Sequence, residues 1–195
     1  MSLVLASASQ SRKALLKAAG VGFIADPADL DETATMARLA DKAAQTVATN
    51  LAQQKALLVS RRHAGMLVLG GDSVIDFGGR HLSKCDDLVQ ARMLLADLSG
   101  HVHVLVSAAA LARDGNLLWT HTSPCRMTMR ALSPQFLDDY LAAEGQAILS
   151  SAGCYHFEGR GAQLFDKVEG DYFSVLGLPL LPVLAQLRKE GVLAS

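Results

Sequence analysis

A chain of 195 residues, half of them apolar and 19% charged, holds material for one sizeable domain spanning 1–195 and is too hydrophobic for wholesale disorder. A formal net charge of −1 gives no global field to hold DNA or RNA, and the aromatic residues, 5% of the chain, are not interleaved with basic ones. Nucleic-acid binding is therefore disfavoured, and any anion site must be a local cluster of Lys and Arg.

The longest apolar runs, near 104–112 and 176–187, fall short of the roughly 20 residues that span a bilayer. Cys85, Cys125 and Cys154 lie far apart without a Cys-x-x-Cys pair, which suits neither a disulfide framework nor a zinc knuckle. The chain opens Met1-Ser2-Leu3-Val4-Leu5-Ala6, apolar at once, with Arg12 and Lys13 after the run; a secretory signal has the opposite order. The expectation is a soluble cytoplasmic protein with reduced thiols and no membrane partner.

In chain order, Leu3 to Ala6 reads as a buried strand, followed by the polar loop Ser7 to Ser11 and a helix from Arg12 to Ala19 closed by Gly20. Asp26 to Glu32 is an acidic loop. The Ala- and Gln-rich stretch from Met36 to Arg61 is one helix or two. Met66 to Leu69 is an apolar strand ending at Gly70-Gly71-Asp72, extended again from Ser73 to Phe77, with a hairpin turn at Gly78-Gly79.

Asp86 or Asp87 caps a helix to Leu98, and strands at His101–Ala112 and Leu117–Arg130 flank a turn at Asp114-Gly115-Asn116. Ser133-Pro134 starts a helix to about Ala143. A loop over Ser150 to Gly161, a strand from Ala162 to Val168 and a last helix from Leu180 to Glu190 complete an α/β or α+β pattern with a long mixed sheet.

Two segments offer chemistry. The serines of the Ser7–Ser11 loop, with Arg12 at a helix start, present hydroxyls, backbone N–H groups and a guanidinium to one anion, phosphate being the natural guest. Gly70-Gly71-Asp72, read as a strand end, would let a substrate approach the backbone and give it an acid that binds a cation or takes a proton from water. Read alone, each also fits a plainer role, a capping loop or a turn. Glu32, Lys55 and Lys84 are uninformative singly, and His101 and His103 read as strand residues rather than a metal pair.

Taken together, the segments resemble the Maf family of nucleotide pyrophosphatases, in order along nearly the whole chain. The resemblance rests on Leu5-Ala6-Ser7-Ala8-Ser9-Gln10-Ser11-Arg12, Asp29-Leu30-Asp31-Glu32, Gln54-Lys55-Ala56, Gly70-Gly71-Asp72-Ser73, Leu82-Ser83-Lys84 and Leu98-Ser99-Gly100. Ala152-Gly153-Cys154-Tyr155, Glu158-Gly159, Glu169-Gly170-Asp171-Tyr172 and Val175-Leu176-Gly177-Leu178-Pro179-Leu180 continue it. Two positions depart from the family's usual pattern: Gln10-Ser11-Arg12 stands for Pro-Arg-Arg, and Lys84-Cys85 for Lys-Pro.

The resemblance implies an elongated mixed sheet flanked by helices, a deep inosine-triphosphatase-like cleft, and a homodimer in many members. It implies hydrolysis of nucleoside triphosphates between the α and β phosphates with a divalent metal cation, Mg²⁺ or Mn²⁺; a nucleotide-binding regulator of septum formation is the alternative. Asp72 would be the proton acceptor and, with Glu32, a metal ligand. Arg12, Lys55 and Lys84 would hold phosphates, with Ser7 and Ser9 beside them. Ser11, Ser73 and Glu158 fall where branches of the family differ. A dTTP and UTP branch has Arg, Thr and Gln there, and a 7-methyl-GTP branch Trp, Gln and Glu; this chain matches the latter at Glu158.

Overall fold

Three consecutive apolar residues, Leu3–Leu5, make β1 and are wholly buried, as only a strand covered on both faces can be. The computed structural model describes residues 3–194; Ser195 and the first two residues of the N-terminal stretch read for targeting, Met1 and Ser2, lie outside the described residues. β1 lies between β2 (Phe23–Ala25) and β3 (Leu67–Phe77), parallel to both. β3 pairs antiparallel with β5 (Val102–Arg113), β5 with β6 (Asn116–Met129), and β6 with β7 (Phe165–Glu169). The short β4 (Arg80–Leu82) folds back on β3, giving a seven-stranded mixed sheet in the order β2-β1-β3-β5-β6-β7 with β4 off that path.

Both tight hairpins follow from their loop residues. Gly78 and Gly79 have φ of 61° and 85°, and Asp114 and Gly115 have 51° and 77°. Positive φ at both central positions is what a two-residue type I′ turn demands, and Gly and Asp tolerate it.

Helices cover the sheet on two faces, sorted by strand alternation. Ala108, Ala110 and Ala112 of β5 cluster with Val47, Ala48, Leu51 and Ala52 of α3 (Ala44–Ser60). Ala109 and Leu111 cluster instead with Leu15 and Leu16 of α1 (Gln10–Ala18) and with Val183 and Leu187 of the helix Leu180–Lys189. A further cluster joins the helices Leu88–Leu98 and Pro134–Glu144 to Leu105, Met127 and Met129. Among the described residues no helix is long and apolar enough to cross a membrane.

The mixed α/β architecture agrees with the sequence, but several boundaries move. The strand read as ending at Gly70-Gly71-Asp72 runs unbroken through them, because nine consecutive residues, Val68 to Asp76, pair with β5. The Met36–Arg61 region is two helices, and the first, α2 (Glu32–Arg38), begins inside the acidic stretch, where the Asp31 side chain caps it by accepting from the Ala34 N–H at 2.8 Å. α1 starts at Gln10 rather than Arg12, capped by Ser9, and of the two acids offered for the helix after β4 Asp87 is the cap. Residues 160–164 form a 3₁₀ turn, so the strand read from Ala162 begins only at Phe165, and β2 and the one-turn helix Tyr172–Val175 are additions too short to show a period.

Candidate active site

The site begins with how closely α3 lies on β3. A Cβ at Gly70 would sit 2.2 Å from the Ala52 carbonyl oxygen and 2.7 Å from the Ala56 nitrogen, so only glycine admits the helix. Asp72 lies two residues along on the same strand face, and Lys55 of α3 reaches it. The Lys55 ammonium donates to Asp72 and lies 2.8 Å from Glu32 Oε1, which comes from the first turn of α2. Lys55 and Asp72 are nearly buried, whereas the Glu32 side chain is 49% exposed.

Gly71 and Ser73 point to the other face, towards α1. A Cβ at Gly71 would come within 3.1 Å of Arg12 Nε. The glycine pair therefore seats a helix and an arginine; it is not a bare backbone left open for substrate. Arg12 is buried and held by three bonds: Nε donates to the Gly177 carbonyl at 2.8 Å, Nη1 to Ser7 Oγ at 3.2 Å and Nη2 to Ser73 Oγ at 3.1 Å. Ser73 in turn lies 2.8 Å from Ser107 Oγ, which donates to the Ser174 carbonyl at 2.7 Å.

Both groups meet at a gap in the sheet. On the side of β3 away from β5, β1 pairs only with Leu67 to Leu69, and β4 only with Ile75 to Phe77. Among the described residues, Gly70 to Val74 have no strand beside them on that side. The Ser7–Ser11 loop leaves β1 at one end of the gap, and Lys84 follows β4 at the other. Ser7 is buried against Arg12, and Ser9 spends its oxygen capping α1.

Electrostatics tie the faces together. Burial pushes the Asp72 carboxyl above its ordinary range, against the pull of Lys55 and Arg12. Burial lowers the Arg12 pKa, opposed by Asp72 and Glu32. The structure thus brings together Ser7, Arg12, Glu32, Lys55, Asp72 and Ser73. Lys84 is exposed, and among the described residues no ion pair reaches it. Ser11 donates to Glu158 Oε1 at 3.4 Å, which puts these two exposed-edge positions together and leaves Ser73 apart, on Arg12.

Glu32 and Asp72 converge on one point, filled by the Lys55 ammonium. Two carboxylates completed by phosphate oxygens and water form a donor set that suits Mg²⁺. No group of three or more His, Cys, Asp or Glu is placed to hold a metal among the described residues, so protein ligands alone do not make a closed cage. His103 is buried against Tyr155, and His101 is exposed just before β5.

Ser107, Ser174 and the Gly177 carbonyl join the site without belonging to its sequence-derived candidates. Ser107 does carry a signal: it is the one polar side chain in the run Val104 to Leu111 of β5. Two surface concavities lie elsewhere, one of about 460 Å³ lined by Phe23, Ile24 and Val192 among others, the other by Gln45, Thr49 and Gln53, and neither includes a candidate residue.

A model of the family described as Maf-like protein matches residues 2–190. The 7-methyl-GTP pyrophosphatase of Mesorhizobium japonicum is 48% identical over 193 residues, 98% of this chain and 97% of that one. The nucleoside triphosphate pyrophosphatase of Granulibacter bethesdensis is 44% identical over 196 residues, 99% of each chain. Among solved structures, a nucleoside-triphosphatase, dITP/XTP pyrophosphatase, from Mycobacterium abscessus aligns with a TM-score of 0.40 and 18% identity, over 77% of this chain and 97% of that one. With the family model matching almost end to end and full-length relatives near half identical, the chain belongs to the Maf-like protein family.

Proposed function

We propose that this chain hydrolyses nucleoside triphosphates to the monophosphate and pyrophosphate, with 7-methyl-GTP as the preferred substrate, through the residues around the gap in β3. The family and the names of its full-length relatives support the reaction. The observation that carries the site is a buried acid paired with buried Lys55 and within the electrostatic reach of buried Arg12, where a sheet opens.

Phosphoanhydride hydrolysis needs charge neutralised more than it needs covalent chemistry. Arg12, Lys55 and Lys84 bind the triphosphate, and the Ser7–Ser11 loop adds neutral hydrogen bonds. The phosphates give Lys55 a stronger partner, freeing Asp72 to accept a proton from water. The water oxygen bonds to the α phosphorus, the bond to the α–β bridging oxygen breaks, and pyrophosphate leaves. Glu32 and Asp72 would hold the divalent cation, Mg²⁺ or Mn²⁺, which when bound neutralises phosphate charge. A cytoplasmic homodimer completes the reading on the family resemblance alone.

The test is pyrophosphate release from 7-methyl-GTP, GTP, dTTP, UTP and CTP, with Mg²⁺ and with a chelator. Release that is fastest with 7-methyl-GTP and abolished by the chelator supports the proposal; release that is faster with another of the five overturns the preference. No release from any of them overturns it.

A further inference from the structure

Among the described residues, Tyr172 is the one Phe, Tyr or Trp that is exposed, at 53%. A single exposed ring needs no explanation by itself; its place does. The ring meets Phe157 with centroids 6.3 Å apart and planes at 62°, and Phe157 is the residue before Glu158. It also meets Phe173 at 5.7 Å and 70°. Neither neighbour is stacked parallel to it, and half of the residue is open to solvent.

The backbone that carries the ring is bonded to the seat of Arg12. Asp171 Oδ2 accepts from the Ser174 N–H at 2.7 Å and from its hydroxyl at 2.6 Å, and the Ser174 carbonyl accepts from Ser107 at 2.7 Å. Gly177 donates its N–H to the same Ser174 carbonyl at 3.0 Å and gives its own carbonyl to Arg12 Nε at 2.8 Å. Arg12 follows Ser11, and Ser11 donates to Glu158.

These contacts close on themselves. They run from Tyr172 through Ser174 and Gly177 to Arg12, on to Ser11 and Glu158, and back through Phe157 to the Tyr172 ring. Tyr172 is therefore tied both to the arginine read as holding phosphate and to the carboxylate read as facing the base.

We propose that Tyr172 is the platform on which the nucleobase stacks, a substrate-binding residue that serves every base alike. The proposal rests on the reading above that the triphosphate lies at Arg12, and on Glu158 as the residue at the base. Ser11 and Glu158 offer hydrogen bonds to the edge of a base but no surface for its faces. Every base has a π face, so stacking on an aromatic ring gives affinity without choosing between bases. Tyrosine suits an open site, because its ring supplies the apolar surface while its hydroxyl stays in water. The hydrogen-bonded turn beneath holds the ring in position before substrate arrives, which lowers the cost of binding.

The experiment uses the whole purified protein with Tyr172→Leu and Tyr172→Phe. It measures kcat and KM for 7-methyl-GTP, GTP, dTTP, UTP and CTP, and inhibition by inorganic tripolyphosphate, which has the phosphates but no base. Tyr172→Leu should raise KM for all five nucleotides roughly 5- to 100-fold and keep their ranking. It should hold kcat, since the binding lost is uniform, and leave inhibition by tripolyphosphate unchanged. Tyr172→Phe, which keeps the ring, should match the wild type. An unchanged KM, a loss confined to one base, or an equal loss in Tyr172→Phe overturns the proposal. So does weaker inhibition by tripolyphosphate, which would mean that the substitution disturbs the seat of Arg12 instead. If the wild type releases no pyrophosphate, the hydrolysis reading fails, and calorimetry with the same nucleotides decides the platform. Weaker binding to Tyr172→Leu than to the wild type upholds it; equal binding, or none to either protein, overturns it.

Discussion

Lys55 and Asp72 form an ion pair between α3 and the middle of β3, and each side chain is only 8% exposed. Glu32 approaches the same ammonium from a half-solvated position. One cation therefore stands between a dry carboxylate and a wet one. The dry one carries the larger consequence, because in low dielectric its charge state depends on its neighbours more than on bulk pH.

Asp72→Asn tests that asymmetry. The side chain keeps its shape, while the amide cannot accept a proton as a base and is a poorer metal ligand. Turnover should fall about 100- to 10,000-fold. Stability should fall by less than the roughly 3–5 kcal/mol of an outright broken buried pair, since Lys55 keeps Glu32. A variant that retained more than about a tenth of the wild-type pyrophosphate release would remove Asp72 from the mechanism.

Gly70→Ala and Gly71→Ala should separate packing from chemistry. At Gly70 the new methyl group meets helix backbone at 2.2 Å, so α3 must shift. Thermal unfolding should show a loss of at least about 1–3 kcal/mol, the usual cost of overpacking. At Gly71 the obstacle is the Arg12 side chain at 3.1 Å, which can yield. Stability should change less there and kcat/KM more. Equal stability losses for the two would contradict the two-faced site.

Ser107 should act on Arg12 without touching substrate. Its single proton goes to the Ser174 carbonyl, so it accepts from Ser73, which leaves Ser73 to accept from Arg12. Ser107→Ala takes the hydroxyl donor away from the Ser174 carbonyl and frees the Ser73 hydroxyl to turn, at a cost of about 1–3 kcal/mol. KM for every triphosphate should rise together while the order of bases is unchanged. A purely structural serine would lower the unfolding temperature and leave KM alone.

His103 should make the fold acid-sensitive. It is 1% exposed, shares one hydrogen bond with the Tyr155 hydroxyl at 2.8 Å, and burial lowers its pKa to about 4. The unfolded chain titrates near 6.5. A base whose folded pKa is depressed contributes full stability above the unfolded value and loses it as pH falls towards the folded one. Between pH 6.5 and 4 the loss approaches about 3 kcal/mol. Melting curves across that range should show the advantage of wild type over His103→Gln shrinking as pH falls; a constant difference would mean His103 is not the group that titrates.

The sheet and its helices were legible in the sequence because apolar runs, Gly-containing turns and caps are local signals. The residue set around Asp72 came only from the resemblance along the whole chain, since Glu32 and Lys55 carry no signal singly. What was not legible depends on contacts between distant segments. That Gly70 admits α3 and Gly71 admits Arg12 is visible only once β3 is known to continue through them. The gap beside Gly70 to Val74 exists because β1 stops at Leu5 and β4 starts pairing at Ile75, and no stretch of sequence holds both facts. Ser174 and Gly177 join the site through backbone carbonyls, which carry no side-chain signature.

The base should be read by Glu158 with Ser11 beside it. The two are joined by a hydrogen bond of 3.4 Å from the Ser11 hydroxyl to Glu158 Oε1, and Glu158 is otherwise exposed at the open side of the 150–161 loop. An ionised carboxylate only accepts hydrogen bonds, which matches the N–H edge of guanine and opposes a pyrimidine carbonyl. A 7-methylated guanine also carries positive charge, which the carboxylate stabilises. Ser11 offers no ring to stack on that base, so discrimination rests on charge and hydrogen bonding. Hydrogen bonds to a charged group contribute about 1.5–3 kcal/mol, or roughly 10- to 150-fold in kcat/KM. Glu158→Gln should therefore cut 7-methyl-GTP turnover by that factor, affect GTP less, and leave UTP and dTTP level or slightly improved. Ser11→Ala should shift the same ranking weakly and in the same direction, because it only orients the carboxylate. If dTTP or UTP is the best wild-type substrate, or if Glu158→Gln leaves the ranking of the five nucleotides unchanged, Glu158 does not read the base.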